Sequence, residues 1–63
     1  MKVFVVEEGV FCEGGVVCGV FFTMVKALNW VGKHYDLNCW ELARMNRWER
    51  GCNYVEINEY EVE

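Results

Sequence analysis

Trp40-Glu41-Leu42-Ala43-Arg44-Met45-Asn46-Arg47-Trp48-Glu49-Arg50, "WELARMNRWER", is the stretch on which the fold turns. At 3.6 residues per turn, Trp40, Arg44 and Trp48 stack at i, i+4 and i+8, with Arg47 beside them. Leu42 and Met45 fall on roughly the opposite side. The end signals agree with a helix. Asn38 and Glu41 have capping-box spacing, with Asn in place of the usual Ser or Thr. Arg44, Arg47 and Arg50 gather where the helix dipole favours positive charge, and Gly51 closes the segment. The spacing therefore predicts a helix between Asn38 and Gly51. A helix apolar on two sides is either sandwiched or presents one side to a partner. In the first case the tryptophans pack in the core with Arg44 lying over an indole. In the second, the Trp/Arg stripe is a recognition surface.

Downstream, Asn53 to Glu63 alternates polar and apolar residues as a half-buried strand does. Upstream, Thr23 reads as a helix N-cap. Met24, Ala27, Leu28 and Val31 mark the inward face of a first helix, and Gly32 reads as its C-terminal cap. Lys33 to Leu37 is a connection. Lys2-Val3-Phe4-Val5-Val6-Glu7-Glu8 and Val16-Val17-Cys18-Gly19-Val20-Phe21-Phe22 read as two strands, with Gly14-Gly15 as a two-residue hairpin loop. That register sets Cys12 opposite Val17 and Phe11 opposite Cys18, so Cys12 and Cys18 lie on opposite faces and cannot pair.

The predicted fold class is α+β: a three-stranded, mainly antiparallel sheet with two short helices on one face, in the order ββααβ. It forms a single domain over residues 1–63. Strands one and two are apolar on both faces, and two helices can cover only one. The other face is expected to be covered by self-association, as a homodimer.

The chain is 63 residues long, 54% hydrophobic and 16% aromatic, too apolar for a disordered segment. A chain this short buries only about 60% of its unfolded surface. Net charge is −4, with a basic middle and an acidic tail, which argues against generic binding to phosphate backbones. The longest apolar stretch, Val16 to Val25, is half a membrane span, and Glu7, Glu8 and Glu13 stand where a signal peptide wants positive charge. The expected location is cytoplasmic, with no membrane partner and with thiols kept reduced.

Chemistry-bearing residues are few. Cys12, Cys18, Cys39 and Cys52 are separated by five, twenty and twelve residues, without the close pair that usually anchors zinc. His34 could join Cys39 as a ligand, but the preferred reading is of buried free thiols and no metal or other cofactor. His34 is the only histidine, so a thiol–imidazole pair has one candidate base. No catalytic residue is assigned and enzymatic activity is not expected. Glu56, Glu59, Glu61 and Glu63 read as solvated charges on an edge strand, or as mimics of phosphates that occupy a nucleic-acid groove on another protein.

"MKVFVVEEG", "GVFFTMVKAL" and "NYVEINEYEVE" resemble the segments of small β-β-α-β proteins of phages and bacteria. The resemblance covers about half the chain, and residues 34–52 depart from it as an insertion would. It implies no activity and no catalytic residues, only an association with phage genomes. The function expected from all of this is a non-catalytic protein-binding module that acts through Trp40, Arg44, Arg47, Trp48, Glu56, Glu59 and Glu61. In its specific form it is a phage or mobile-element inhibitor of a host protein or protein complex, of anti-CRISPR or other anti-defence type, working in the host cytoplasm. The alternatives are a nucleic-acid-binding accessory protein using the Trp/Arg face and a structural homodimer with no other partner.

Overall fold

One antiparallel sheet of five strands, in the order β2-β1-β5-β4-β3, organises the computed structural model, which describes residues 1–62. The strands are β1 (Lys2–Val10), β2 (Gly14–Phe21), β3 (Glu41–Arg44), β4 (Arg47–Arg50) and β5 (Asn53–Glu61). A single helix, α1 (Met24–His34), and a 3-10 turn at Leu37–Cys39 connect β2 to β3.

This corrects the ββααβ expectation. The segment expected to be a second helix is a β-hairpin. Leu42 pairs with Trp48, and Arg44 with Arg47, around Met45-Asn46, where Asn46 takes φ 61°. Gly51 is not a helix cap. It holds φ 60° at the first position of the two-residue Gly51-Cys52 loop, between paired Arg50 and Asn53. Glycine in that position matches the twist of the strands on either side. The capping box also dissolves: Asp36 caps the 3-10 turn through a 3.1 Å bond from the Asn38 amide.

The first hairpin has a longer loop than expected. Val10 pairs with Gly14, so Phe11, Cys12 and Glu13 form the turn. The Glu13 amide donates to the Val10 carbonyl at 3.0 Å, with Cys12 at φ 69°. A bulge between Val6 and Glu7 shifts the register, which opposes Val6 to Gly19 and Glu7 to Val17. The pairings of Cys12 with Val17 and of Phe11 with Cys18 do not form.

Helix α1 starts as its sequence dictates, with Thr23 Oγ1 accepting from the Lys26 amide at 3.2 Å. It runs through Gly32 and ends at His34, with Tyr35 as the cap. Ala27 and Val31 are fully buried against Val6, Val55, Ile57 and Trp48, which form the core. Phe4, Cys18, Phe21, Met24, Trp30, Tyr35, Leu37 and Trp40 pack around it.

The tail strand forms as the alternation requires, but it lies at the centre of the sheet between β1 and β4, not at an edge. Its side chains divide by parity: Val55 and Ile57 face the helix, and Tyr54, Glu56, Asn58 and Tyr60 face the other way. No described element packs on that second face.

Candidate functional site

The uncovered face has two halves. Near the β1 start, Val3 faces Tyr60 and Val5 faces Val20 across the ladders, and Val17 follows beside Glu7. Val17, Val20 and Tyr60 are 58%, 57% and 49% exposed, an apolar patch with no layer over it. Toward the hairpin loops the face turns polar. Asn58 Nδ2 donates to Glu7 Oε2 at 2.5 Å. Arg47 donates through Nη1 to Glu56 at 2.8 Å and through Nε to Glu49 at 2.9 Å. Its guanidinium carbon lies 4.3 Å from the Tyr54 ring centroid and 5.6 Å from that of Phe11.

Arg47 is thus held by two carboxylates and two aromatic rings. Its pKa is raised by the hydrogen bonds to Glu49 and Glu56, so it stays a fixed positive charge. Burial pushes the Glu56 carboxyl up, but the bonds from Arg47, with smaller help from Asn58 and Arg44, outweigh burial and hold it below the usual carboxylate range. Tyr54 reaches over the paired glycines Gly9 and Gly15. A Cβ at either would meet its hydroxyl within 2.6 Å.

The residues singled out from sequence do not share one surface. Trp48 is 9% exposed and belongs to the core on the helix side. Arg44 and Arg47 lie on the opposite face, both reaching Glu56. Trp40 lies just before β3, its ring 5.5 Å from that of Tyr35 at an interplanar angle of 82°. Glu59 pairs with Lys2 at 3.5 Å and Glu61 with the N-terminal amine at 3.3 Å, both on exposed ground. Tyr54, Tyr35 and Glu8 were missed. Tyr54 had a readable signal, since it stands at the start of an alternating strand.

On the helix side, beyond the end of α1, the sheet floors a cleft of about 480 Å³ lined by Glu8, Glu13, Gly14, Tyr35 and Trp40, among others. Tyr35 donates its hydroxyl to Glu8 Oε2 in a short bond. Burial, then the Glu8 hydrogen bond and charge, raise the Tyr35 pKa well above the ordinary phenol, so it acts as a donor and not as a base. A second cleft of about 320 Å³ lies between Phe21, Trp30, Lys26, Asn29 and Lys33.

The four cysteines are free, and three of them, Cys12, Cys39 and Cys52, are exposed, which corrects the expectation of buried thiols. Neither thiol hydrogen bond involves His34: Cys18 donates to the Val16 carbonyl and Cys39 to Asp36. His34 stacks on Trp30 with centroids 4.0 Å apart and bonds through Nδ1 to the Trp30 carbonyl. Among the described residues, no three His, Cys, Asp or Glu side chains gather as metal ligands would. No helix among them is long and apolar enough to cross a membrane.

The class defined by these features is a small antiparallel sheet protein with a helix on one face and the other face open. The chain belongs to the family described as "Domain of unknown function (DUF7336)", whose model matches residues 1–63. The match runs through residues 34–52, which the resemblance had set apart as an insertion. No curated protein and no solved structure matches the chain.

Proposed function

We propose that this chain is a non-catalytic protein-binding module that docks a partner along β2 and the adjoining uncovered face. One observation carries the reading: β2 is an eight-residue edge strand without a single charge, beside an apolar face. The other edge, β3, is four residues long and carries Glu41 and Arg44. Short, charged edges resist strand addition, and long, uncharged ones invite it. Only β2 is unguarded.

A second copy of the chain fits this edge. Antiparallel β2–β2′ pairing is self-complementary about a two-fold axis and sets no like charges opposite one another. It also joins the two apolar patches into one surface, on which a further protein could dock. The narrower version, an inhibitor of a host defence protein, draws on the small size, the acidic charge, the lack of a recognisable chemistry and the phage resemblance.

Sedimentation at several concentrations tests the reading, with Val20→Lys and Val17→Lys as variants. A concentration-dependent dimer that both lysines dissolve is the expected result. A wild-type monomer at every concentration, which also captures the same proteins from lysate as the Val20→Lys variant, would remove it.

The nucleic-acid reading finds its basic and aromatic groups together in the Lys26, Lys33, Trp30 and Phe21 cleft, away from Trp48. Its signature is single-strand binding that falls steeply with salt and is lost in Lys26→Glu/Lys33→Glu.

A further inference from the structure

The cleft beyond the end of α1 combines three features, of which the aromatic rings and the carboxylates lie outside the β2 strand that the protein-binding reading uses. Its walls include two aromatic rings, Tyr35 and Trp40, set nearly perpendicular to each other. Two carboxylates, Glu8 and Glu13, line it, and no Lys, Arg or His does. Among the described residues, neither of these carboxylates takes part in an ion pair; the ion pairs there engage Glu49, Glu56, Glu59 and Glu61. Gly14 also lines it, with open space around the position a Cβ would take there.

The Tyr35 hydroxyl anchors Glu8 without neutralising it. A hydrogen bond from a neutral phenol fixes the direction of the carboxylate and leaves its charge in place, with lone pairs to spare. Aromatic faces attract cations through their quadrupole, most strongly those of Trp. At about 480 Å³ the cleft is in the size range of small-ligand sites.

We propose that this cleft binds an organic cation, with the Trp40 and Tyr35 rings against its alkyl shell and the Glu8 carboxylate against its charge. An ammonium or guanidinium group meets this chemistry, whether carried by a free amine or by a basic side chain of another protein. The cleft lies on the helix side of the sheet, so the proposal does not depend on partner docking at the uncovered face.

The test is a nuclear magnetic resonance titration of the full chain with tetramethylammonium, N-acetyl-lysinamide and N-acetyl-argininamide, with tert-butanol as the neutral isostere. Isolated cations are expected to bind in the millimolar range and to shift the Trp40 indole N–H and the Glu8 and Gly14 amides. tert-Butanol is expected to leave them in place. Glu8→Gln keeps an acceptor for Tyr35 and removes the charge, and it should weaken binding by about tenfold or more. Peptides carrying lysine or trimethyllysine separate the two sources: tighter binding than the free amine assigns the site to a partner's side chain, and equal binding to small amines. Equal shifts from tert-butanol and tetramethylammonium, or unchanged affinity in a folded Glu8→Gln protein, would overturn the proposal. The comparison between isosteres uses the wild-type chain, so it holds even where a variant fails to fold.

Discussion

Arg47 and Glu56 face each other across the β4–β5 ladder, with Nη1 2.8 Å from Oε2, and both side chains are largely shielded, at 17% and 16% exposed. The pair forms on the sheet face that no helix covers. Tyr54 shields one side of the guanidinium, and Glu49 takes its Nε. A charge pair this enclosed differs from the exposed Lys2–Glu59 and N-terminal contacts, whose worth at the surface is small.

The consequence is a defined acid response. The folded protein holds Glu56 below its ordinary 4.5, so its stabilising contribution is complete above that value. It is lost progressively as pH falls from about 4.5 through the folded-state value. Denaturation curves at pH 7 and at successively lower pH should show falling stability below 4.5. In Glu56→Gln that fall should be shallower. At neutral pH, Glu56→Ala is expected to cost about 1–3 kcal/mol, because it leaves Arg47 shielded and short of a partner. Identical acid curves for the wild type and Glu56→Gln would contradict the assignment.

The two tryptophans that the helical spacing grouped together should behave oppositely. Trp48 is in the core, and truncating a buried Trp costs about 3–5 kcal/mol. A 63-residue chain at roughly 0.05–0.15 kcal/mol per residue has about 3–9 kcal/mol in total, and its thin core puts it toward the low end. Trp48→Ala is therefore expected to be largely unfolded by circular dichroism and is unsuitable as a surface control. Trp40→Ala loses packing against Tyr35 at the cleft rim and should fold, with a lower melting temperature.

What could be read in advance was local. Thr23 had an unambiguous capping role, and of the four positions read as the inward face of α1, Met24, Ala27 and Val31 pack inward while Leu28 is 38% exposed. Asn53 to Glu61 alternated too cleanly to be anything but a strand. Residues 40–50 misled because their spacing fits two periods. Trp40, Arg44 and Trp48 are separated by fours, which suits a helix, but fours are also even numbers and suit a strand. The turn at Met45-Asn46 and the bulge between Leu42 and Arg44 then changed the parity, so that Leu42 joined Trp48 and Arg44 joined Arg47. The decisive signal was Gly51. Followed by one residue and flanked by alternating Arg47-Trp48-Glu49-Arg50 and Asn53-Tyr54-Val55, it is the first position of a two-residue hairpin loop. The candidate site was legible only as residue types. Arg47 and Glu56 were both singled out, but their meeting depended on a strand pairing that no local pattern encodes.

Thiol accessibility gives a direct check on the hairpin loops. Cys12 and Cys52 lie in the turns that close β1–β2 and β4–β5, and Cys39 ends the 3-10 segment, all exposed. Cys18 is partly covered in the β2 bulge, packed against the core. Under native conditions three thiols should react quickly with a chromogenic disulfide reagent and one slowly, with mass spectrometry assigning the slow one to Cys18. Slow reaction at Cys12 or Cys52 would place the loops elsewhere.

Glycine substitutions separate the sheet's close approach from the helix's open surface. At Gly15 an added Cβ would lie 2.5 Å from the Tyr54 hydroxyl and 2.7 Å from the Glu8 carbonyl oxygen. The phenol could swing aside, but the Glu8 carbonyl is backbone within the β1–β2 ladder and cannot yield without spreading the strands. Gly15→Ala is expected to cost about 1–3 kcal/mol, the range for overpacking. Gly32 is the opposite case. It lies inside α1 with nothing within 4 Å of its Cβ position, so alanine adds no clash and narrows the unfolded ensemble. Gly32→Ala should stabilise the chain by about 0.4–1 kcal/mol and raise its melting temperature. The sequence pattern places the end of α1 at Gly32 and the structure places it at His34, and the sign of this change decides between them. A stabilised Gly32→Ala requires helical backbone through residue 32, and a destabilised one would return the helix end to that position.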